Sequence, residues 1–145
     1  MHQGNGREVV IVEAVRTPIG RGHPAKGIYK DTHPNALLAQ CYAEVIERAG
    51  IPADAVEDVV FGCVDTVGGQ AGDIARTCWL AAGLPEHVPG TTVDRQCGSA
   101  QQAVHFAAQA VMAGVSDVVV AGGVQQMSMI PISSAARNCE TSSSP

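Results

Sequence analysis

The ten residues Thr91-Thr92-Val93-Asp94-Arg95-Gln96-Cys97-Gly98-Ser99-Ala100 set the architecture of this chain. Their β-branched beginning predicts a strand, and the alanine-rich run from 101 to 113 predicts a helix. Cys97 therefore lies where a strand ends and a helix begins, beside unpaired N–H groups at the positive end of the helix dipole. This position favours the thiolate form of cysteine. Cys97 is thus a candidate nucleophile that attacks a carbonyl carbon and accepts an acyl group.

Three other apolar runs predict further strands. Residues 8–14 and 58–64 are almost continuously apolar, as expected of strands covered on both faces, and residues 117–121 predict a fourth strand. Helices separate these runs. This alternation predicts an α/β fold with a mainly parallel sheet covered by helices.

The intervening helices have recognisable ends. One begins at Thr32 or His33 before Pro34, a favoured first-turn residue, and stops at Gly50. A shorter helix is predicted over residues 73–82.

Composition excludes several classes of protein. The chain has 145 residues, 46% of them hydrophobic, which is enough for one domain with a core. Only 3% are aromatic, so we expect a core of aliphatic residues. A net charge of −5, with nine scattered basic residues, argues against a nucleic-acid surface. No run is long enough to cross a bilayer, and residues 1–7 lack an apolar signal core, so a cytoplasmic location is expected.

Five cysteines occur without C-x-x-C spacing, which argues against a zinc site and a disulfide scaffold. We expect Cys41, Cys63 and Cys78 to be small buried hydrophobic residues, and Cys139 to be an exposed thiol without a role. From Ser133 onward the chain becomes polar and Ser-rich, and neither helix nor strand is predicted. Residues 133–145 are interpreted as a flexible tail or as the end of a truncated coding segment, and we favour truncation.

Three motifs together resemble the thiolase family (acetyl-CoA acetyltransferases and 3-ketoacyl-CoA thiolases). Residues 14–20, AVRTPIG, are similar to the family's opening A-x-R-T-P-x-G, and residues 93–99, VDRQCGS, to its nucleophile motif V-N-[KR]-x-C-G-S-G. Residues 121–128, AGGVQQMS, are similar to A-G-G-x-E-x-M-S. The sequence departs from these motifs at Asp94, Ala100 and Gln125, where the family usually has Asn, Gly and Glu. Residues 1–132 are thus interpreted as a partial thiolase N-terminal domain.

The resemblance implies an acyltransferase of lipid metabolism, such as fatty-acid β-oxidation or steroid breakdown. Cys97 would carry the acyl group between CoA thioesters, and its backbone N–H would be a candidate oxyanion donor. CoA would be a substrate, with no cofactor and no metal. Partners would be CoA thioesters and further copies of the chain in a homodimer or homotetramer, with neither nucleic acid nor membrane.

The family's other catalytic segments, N-E-A-F, a C-terminal G-H-P and C-x-G, do not occur at corresponding places. Gly22-His23-Pro24 lies far before the nucleophile, so His23 is interpreted as an ordinary loop residue. The fragment is therefore expected to be inactive alone, to expose apolar surface and to self-associate. Two alternatives remain: an inert thiolase-fold module and a ketosynthase-like condensing enzyme. The G-x-G-x-x-A pattern of residues 20–25 lies too far from a strand and a helix to indicate a dinucleotide site.

Overall fold

Three parallel strands form the sheet. In the computed structural model, which describes residues 7–141 apart from the side chains of 138–141, β1 (Asp58–Gly62) lies between β2 (Gly90–Val93) and β3 (Val119–Gly123). Gly62 pairs with Val93 on one side and with Gly123 on the other. The carboxyl ends of all three strands therefore meet at one edge of the sheet, where the connecting loops can form a site.

Within residues 7–141, four α-helices accompany the sheet: α1 (Pro34–Ala49), α2 (Ile74–Ala81), α3 (Ser99–Ala113) and α4 (Ser134–Thr141). Single helical turns occur at Ala53–Ala55 and Gly68–Gln70. The predicted boundaries of α1 are confirmed. His33 Nδ1 accepts a hydrogen bond from the Asn35 N–H at the N-cap, and Gly50 ends the helix with φ +64°.

The side chains of β1 alternate between two helical layers. Val59 and Phe61 belong to the core formed with α1 and α2, whereas Gly62 faces the first turn of α3. Helices thus cover both faces of a parallel sheet, and the α/β prediction is confirmed. Helix α3 exposes Val104, Phe106 and Met112, so the expected exposed apolar surface is present.

The expectation of an aliphatic core was incomplete. Tyr42, Phe61 and Trp79 meet at the core centre, with Tyr42 edge-on to the other two rings at centroid distances of 4.7 and 5.4 Å. Their polar atoms are satisfied: the Tyr42 hydroxyl donates to the Ala75 carbonyl, and the Trp79 indole N–H to Pro85. A low aromatic content therefore did not predict where the few aromatic residues would lie.

The predicted first strand, residues 8–14, is wrong for this structure. These residues form neither strand nor helix, and Val10, Ile11 and Val12 are 67, 82 and 72% exposed. Arg7 Nη1 forms an ion pair with Asp117 Oδ1 at 2.5 Å, which holds the segment's start near β3. Among the described residues, no other strand pairs with this segment. A buried strand needs a neighbouring strand to accept and donate its backbone hydrogen bonds, and an apolar sequence alone does not supply one.

Helix α4 occupies part of the C-terminal segment where no element was predicted. Asp65, a residue distant in sequence, accepts the N–H groups of Ser133, just before the helix, and of Ala135 in its first turn. A local sequence pattern therefore could not predict α4. The predicted exposure of Cys139 lies outside the described side chains. No helix found among the described residues is both long and apolar enough to cross a membrane.

Candidate functional site

Cys97 lies in a tight turn between β2 and α3. Asp94 Oδ1 accepts the Gln96 N–H at 2.9 Å, and Gln96 adopts a left-handed backbone conformation with φ +52°. Gly98 is the N-cap of α3, and Cys97 precedes it with its side chain exposed. Asp94 therefore makes the turn contact that an asparagine carbonyl oxygen would also make. The predicted strand–turn–helix position of Cys97 is present, while its role as nucleophile stays a prediction.

The hydroxyl of Ser99 fastens this turn. Ser99 Oγ accepts the Arg95 N–H at 2.8 Å and donates to the Gln96 carbonyl at 2.6 Å, and the side chain is buried. The Gly98 N–H donates to the Arg95 carbonyl at 3.1 Å. The backbone on both sides of Cys97 is therefore fixed by residues within four positions of it.

Two glycines allow α3 to approach the sheet. A Cβ added to Gly62 would lie 2.3 Å from the Ala100 nitrogen, and one added to Gly123 would lie 2.6 Å from Ala100 Cβ. Neither distance is compatible with a side chain at those positions. The two glycines therefore let the first turn of α3 rest directly on the ends of β1 and β3.

A largely apolar cleft of about 400 Å³ opens beside Cys97. The cleft lies where the ends of β1 and β3 meet the turn after β2, and its lining residues include Cys63, Gln96, Cys97, Gln125, Met127 and Ile132. Two of the sequence motifs, VDRQCGS and AGGVQQMS, thus meet at one cavity. A second cavity of about 340 Å³ is lined by residues 16–22, which include most of the AVRTPIG motif. Gln125 and Met127 line both this cavity and the cleft.

Cys63 is a second thiol of the cleft lining, which sequence reasoning missed. It is 1% exposed, as expected of a buried cysteine, and burial together with the charges of Asp94 and Asp65 raises its pKa to about 11. Its thiol donates to the Val64 carbonyl at 3.3 Å. Cys63 is therefore a neutral thiol at neutral pH.

Gln125 lies between the two cavities. Its Oε1 accepts the Val64 N–H at 3.1 Å, while its buried Nε2 has no hydrogen-bond acceptor among the described residues. Gln125 is the position where the family motif has glutamate, so a neutral amide replaces a carboxylate in the wall of the cleft.

Three buried polar residues behind the cleft were also missed. Gln70 Nε2 donates to the Asp65 carbonyl, and Gln70 Oε1 accepts the Gln126 N–H at 2.7 Å. The Asp65 carboxylate binds two backbone N–H groups of the segment that follows β3. The sequence signal for such residues is weak, because a polar residue in a loop is ordinarily exposed.

The remaining candidates lie away from Cys97. Cys78 is buried, which raises its pKa to about 12, and Cys41 is half-buried on α1. His23 is a turn residue as predicted: its Nδ1 accepts the N–H groups of Ala25 and Lys26. In the part of the chain that the structure describes, no group of three or more His, Cys, Asp or Glu side chains could hold a metal ion.

The comparisons with known proteins agree with this geometry. The family model for the thiolase N-terminal domain matches residues 9–144. This chain belongs to the thiolase family. It is 57% identical, over 138 residues, to steroid 3-ketoacyl-CoA thiolase FadA6 of Mycobacterium tuberculosis, covering 91% of this chain and 33% of that thiolase. It is 43% identical to the acetyl-CoA acetyltransferase of Syntrophomonas wolfei, covering 86% of this chain and 31% of that thiolase.

The fold comparison gives the same family. The crystal structure of the Bacillus anthracis acetyl-CoA acetyltransferase superposes with a TM-score of 0.76 at 42% identity, over 82% of this chain and 29% of that one. The thiolase-type layered fold is thereby confirmed. The chain spans about a third of the length of the curated relatives it matches.

Proposed function

We propose that this chain carries the nucleophile of a thiolase-type acyltransferase and that Cys97 is that nucleophile. The observation that supports the proposal best is the exposed Cys97 thiol, held by the β2–α3 turn at the opening of a cleft. Thiols elsewhere in the described side chains are buried or half-buried. Cys97 thus combines access to a substrate with the environment of a helix start.

The proposed reaction has two steps. The Cys97 thiolate attacks the 3-keto carbon of a 3-ketoacyl-CoA, and a C–S bond forms. The bond between C2 and C3 then breaks, and C2 leaves as the enolate of acetyl-CoA and takes a proton. In the second step the CoA thiolate attacks the acyl carbon, and the shortened acyl-CoA leaves while Cys97 recovers its thiolate. The reverse sequence condenses two acyl-CoA molecules.

Both steps pass through an oxyanion that needs hydrogen-bond donors. We assign the Cys97 N–H to this role, because it belongs to the turn that Ser99 and Gly98 hold in place. A donor fixed before reaction needs no reorganisation when charge develops on the oxygen. We assign the general base and the general acid of the complete protein to residues outside this cleft.

The names of the relatives support a substrate class. The relative with 57% identity is named a steroid 3-ketoacyl-CoA thiolase, and others are named 3-ketoacyl-CoA thiolases. We therefore propose that the complete protein cleaves 3-ketoacyl-CoA thioesters of lipid or steroid breakdown, as a homodimer or homotetramer and without a bound cofactor.

Acyl labelling tests the nucleophile. The chain is incubated with acetyl-CoA over a range of pH, quenched in acid and mapped by peptide mass spectrometry. The proposal expects one acetyl group on Cys97, none in Cys97→Ala, and unchanged labelling in Cys41→Ala. Labelling that persists on other residues in Cys97→Ala would overturn the assignment.

A second candidate is an inert module with the thiolase fold. The observation that favours it is the exposed apolar surface of α3, which includes Val104, Phe106 and Met112 and would suit assembly with a partner. This candidate expects no acetyl group on Cys97 at any pH.

A further inference from the structure

The cleft beside Cys97 has one wall that comes from the segment after β3. We name residues 126–135 the wall segment, because two of its side chains, Met127 and Ile132, line the cleft. The segment has little regular structure before α4 begins at Ser134. Its position relative to Cys97 is therefore set by contacts with other parts of the chain, at its two ends and at Ser128, whose hydroxyl accepts the His23 N–H and donates to the Arg21 carbonyl.

Gln126 anchors the first end. The side chain is 2% exposed, and its Nε2 donates to the carbonyls of Tyr29 and Thr32. Its Oε1 accepts the N–H groups of Ser128 and Met129 at 2.8 and 3.2 Å. One buried amide therefore ties the start of the wall segment to the loop before α1.

Asp65 anchors the second end. It is 5% exposed, and its two carboxylate oxygens accept the N–H groups of Ser133 and Ala135 at 2.8 and 2.9 Å. Among the described residues, none of the three ion pairs includes Asp65. The negative charge is instead compensated by two charge-assisted hydrogen bonds at the amino end of α4.

The backbone at this anchor is strained on both sides. Asp65 has φ +52° and Ser133 has φ +68°, and neither is glycine. Left-handed conformations of this kind persist only where surrounding contacts determine them. The hydrogen bond from the Ser133 N–H to Asp65 is such a determinant, and the Ala135 N–H donates to the same carboxylate. Ile132 is the residue immediately before Ser133.

We infer that Asp65 is a positioning residue that fixes the wall segment, and through Ile132 sets which acyl groups fit beside Cys97. This inference rests on the proposed function for its biological meaning, since the acyl group is the ligand of the cleft. Asp65 itself does not line the cleft and acts only through the segment that it holds.

The test uses this chain with four variants: Asp65→Asn, Ile132→Ala, the double variant, and Asp54→Asn as a matched control. Asp54 is exposed and makes no side-chain hydrogen bond among the described residues. Rates of Cys97 modification are measured by peptide mapping with iodoacetamide and with N-alkylmaleimides of increasing chain length. Urea unfolding of each variant gives the folded fraction to which the rates are normalised.

In the native chain, Cys97 should react at different rates with short and with long maleimides. Asp65→Asn should change the ratio of these two rates by about tenfold, which is the size of effect that small changes in an apolar pocket produce. Ile132→Ala should change it in the same direction. The double variant should equal Ile132→Ala alone, because Asp65 acts through that side chain. Asp54→Asn should match the native chain.

An unchanged ratio in folded Asp65→Asn would overturn the inference, and so would additive effects in the double variant. Ile132→Ala keeps the Asp65 carboxylate and its hydrogen bonds. It therefore tests whether the Ile132 side chain determines the maleimide rates even if Asp65→Asn unfolds. A parallel measurement with acetyl-CoA and a long-chain acyl-CoA separates the two proposals. If neither the native chain nor any variant is acylated on Cys97, while the maleimide rates change as expected, the result counts against the proposed function. It does not count against the role of Asp65 in holding the wall segment.

Discussion

The turn around Cys97 and the segment 8–14 both have clear sequence patterns, yet they have opposite outcomes in the structure. The turn is stabilised by residues within a few positions, including Asp94 and Ser99. The segment 8–14 is apolar enough for a buried strand but pairs with no strand in the described part of the chain, and Ile11 is 82% exposed. The difference shows that a turn can contain its own hydrogen-bond partners, whereas a strand must receive them from elsewhere.

The largest expected effect is at Gly62, on which the position of the Cys97 turn depends. Gly62→Ala would place a Cβ against backbone atoms of Ser99 and Ala100, so we expect a loss of about 3 kcal/mol in the free energy of unfolding. Urea denaturation measures this loss. The control is Gly98→Ala, whose Cβ would meet Arg95 O at an acceptable 3.4 Å, with an expected cost of about 0.5 to 1 kcal/mol. Equal costs would contradict the close contact.

Removing the Ser99 hydroxyl should have the next largest effect. Ser99→Ala leaves the Arg95 N–H without its partner and removes one of the two donors to the Gln96 carbonyl, at an expected cost of about 1 to 3 kcal/mol. The alkylation rate of Cys97 should also change, since its turn is released. Gln101→Ala, at an exposed position in the same helix, is the control and should leave both quantities near their native values.

Much of the site could be predicted because its determinants are local. The position of Cys97 follows from a β-branched run, a turn and an alanine-rich helix, and α1 follows from Pro34 and Gly50. The capping of α4 could not be predicted, because Asp65 lies 68 positions before Ser133. The amide contacts of Gln126 join loops almost a hundred residues apart, and no local pattern encodes them.

Alkaline pH should produce a smaller loss of stability. Burial raises the pKa of Cys63 to about 11 and of Cys78 to about 12, from 9.0. Because the pKa of each thiol is higher in the folded state, its contribution to the free energy of unfolding is complete below pH 9. That contribution is lost as the pH rises towards 11 to 12. Melting temperatures between pH 8 and 12 should show this decline. Cys78→Ala should reduce it, and an equally steep decline in that variant would contradict the assignment.

The smallest expected effect is in the segment 8–14. Ile11→Ser should change the free energy of unfolding by no more than about 0.5 kcal/mol, because the side chain is already exposed. Val59→Ala, in the core on β1, should cost about 2 kcal/mol or more. A cost above about 1 kcal/mol for Ile11→Ser would show that the segment is paired in solution, as through the self-association expected above. Sedimentation velocity at several concentrations would measure that association directly.

Two separate sets of hydrogen bonds hold the two sides of the cleft, and this separation affects how substitutions can change such a protein. Ser99 and Asp94 hold Cys97 from within its own turn, whereas Asp65 and Gln126 hold the opposite wall from distant loops. Substitutions in one set therefore leave the other intact. Under the function and the anchor proposed above, reactivity and selectivity would then change independently, and we expect a library confined to residues 127–132 to alter the acyl preference while sparing the acylation of Cys97.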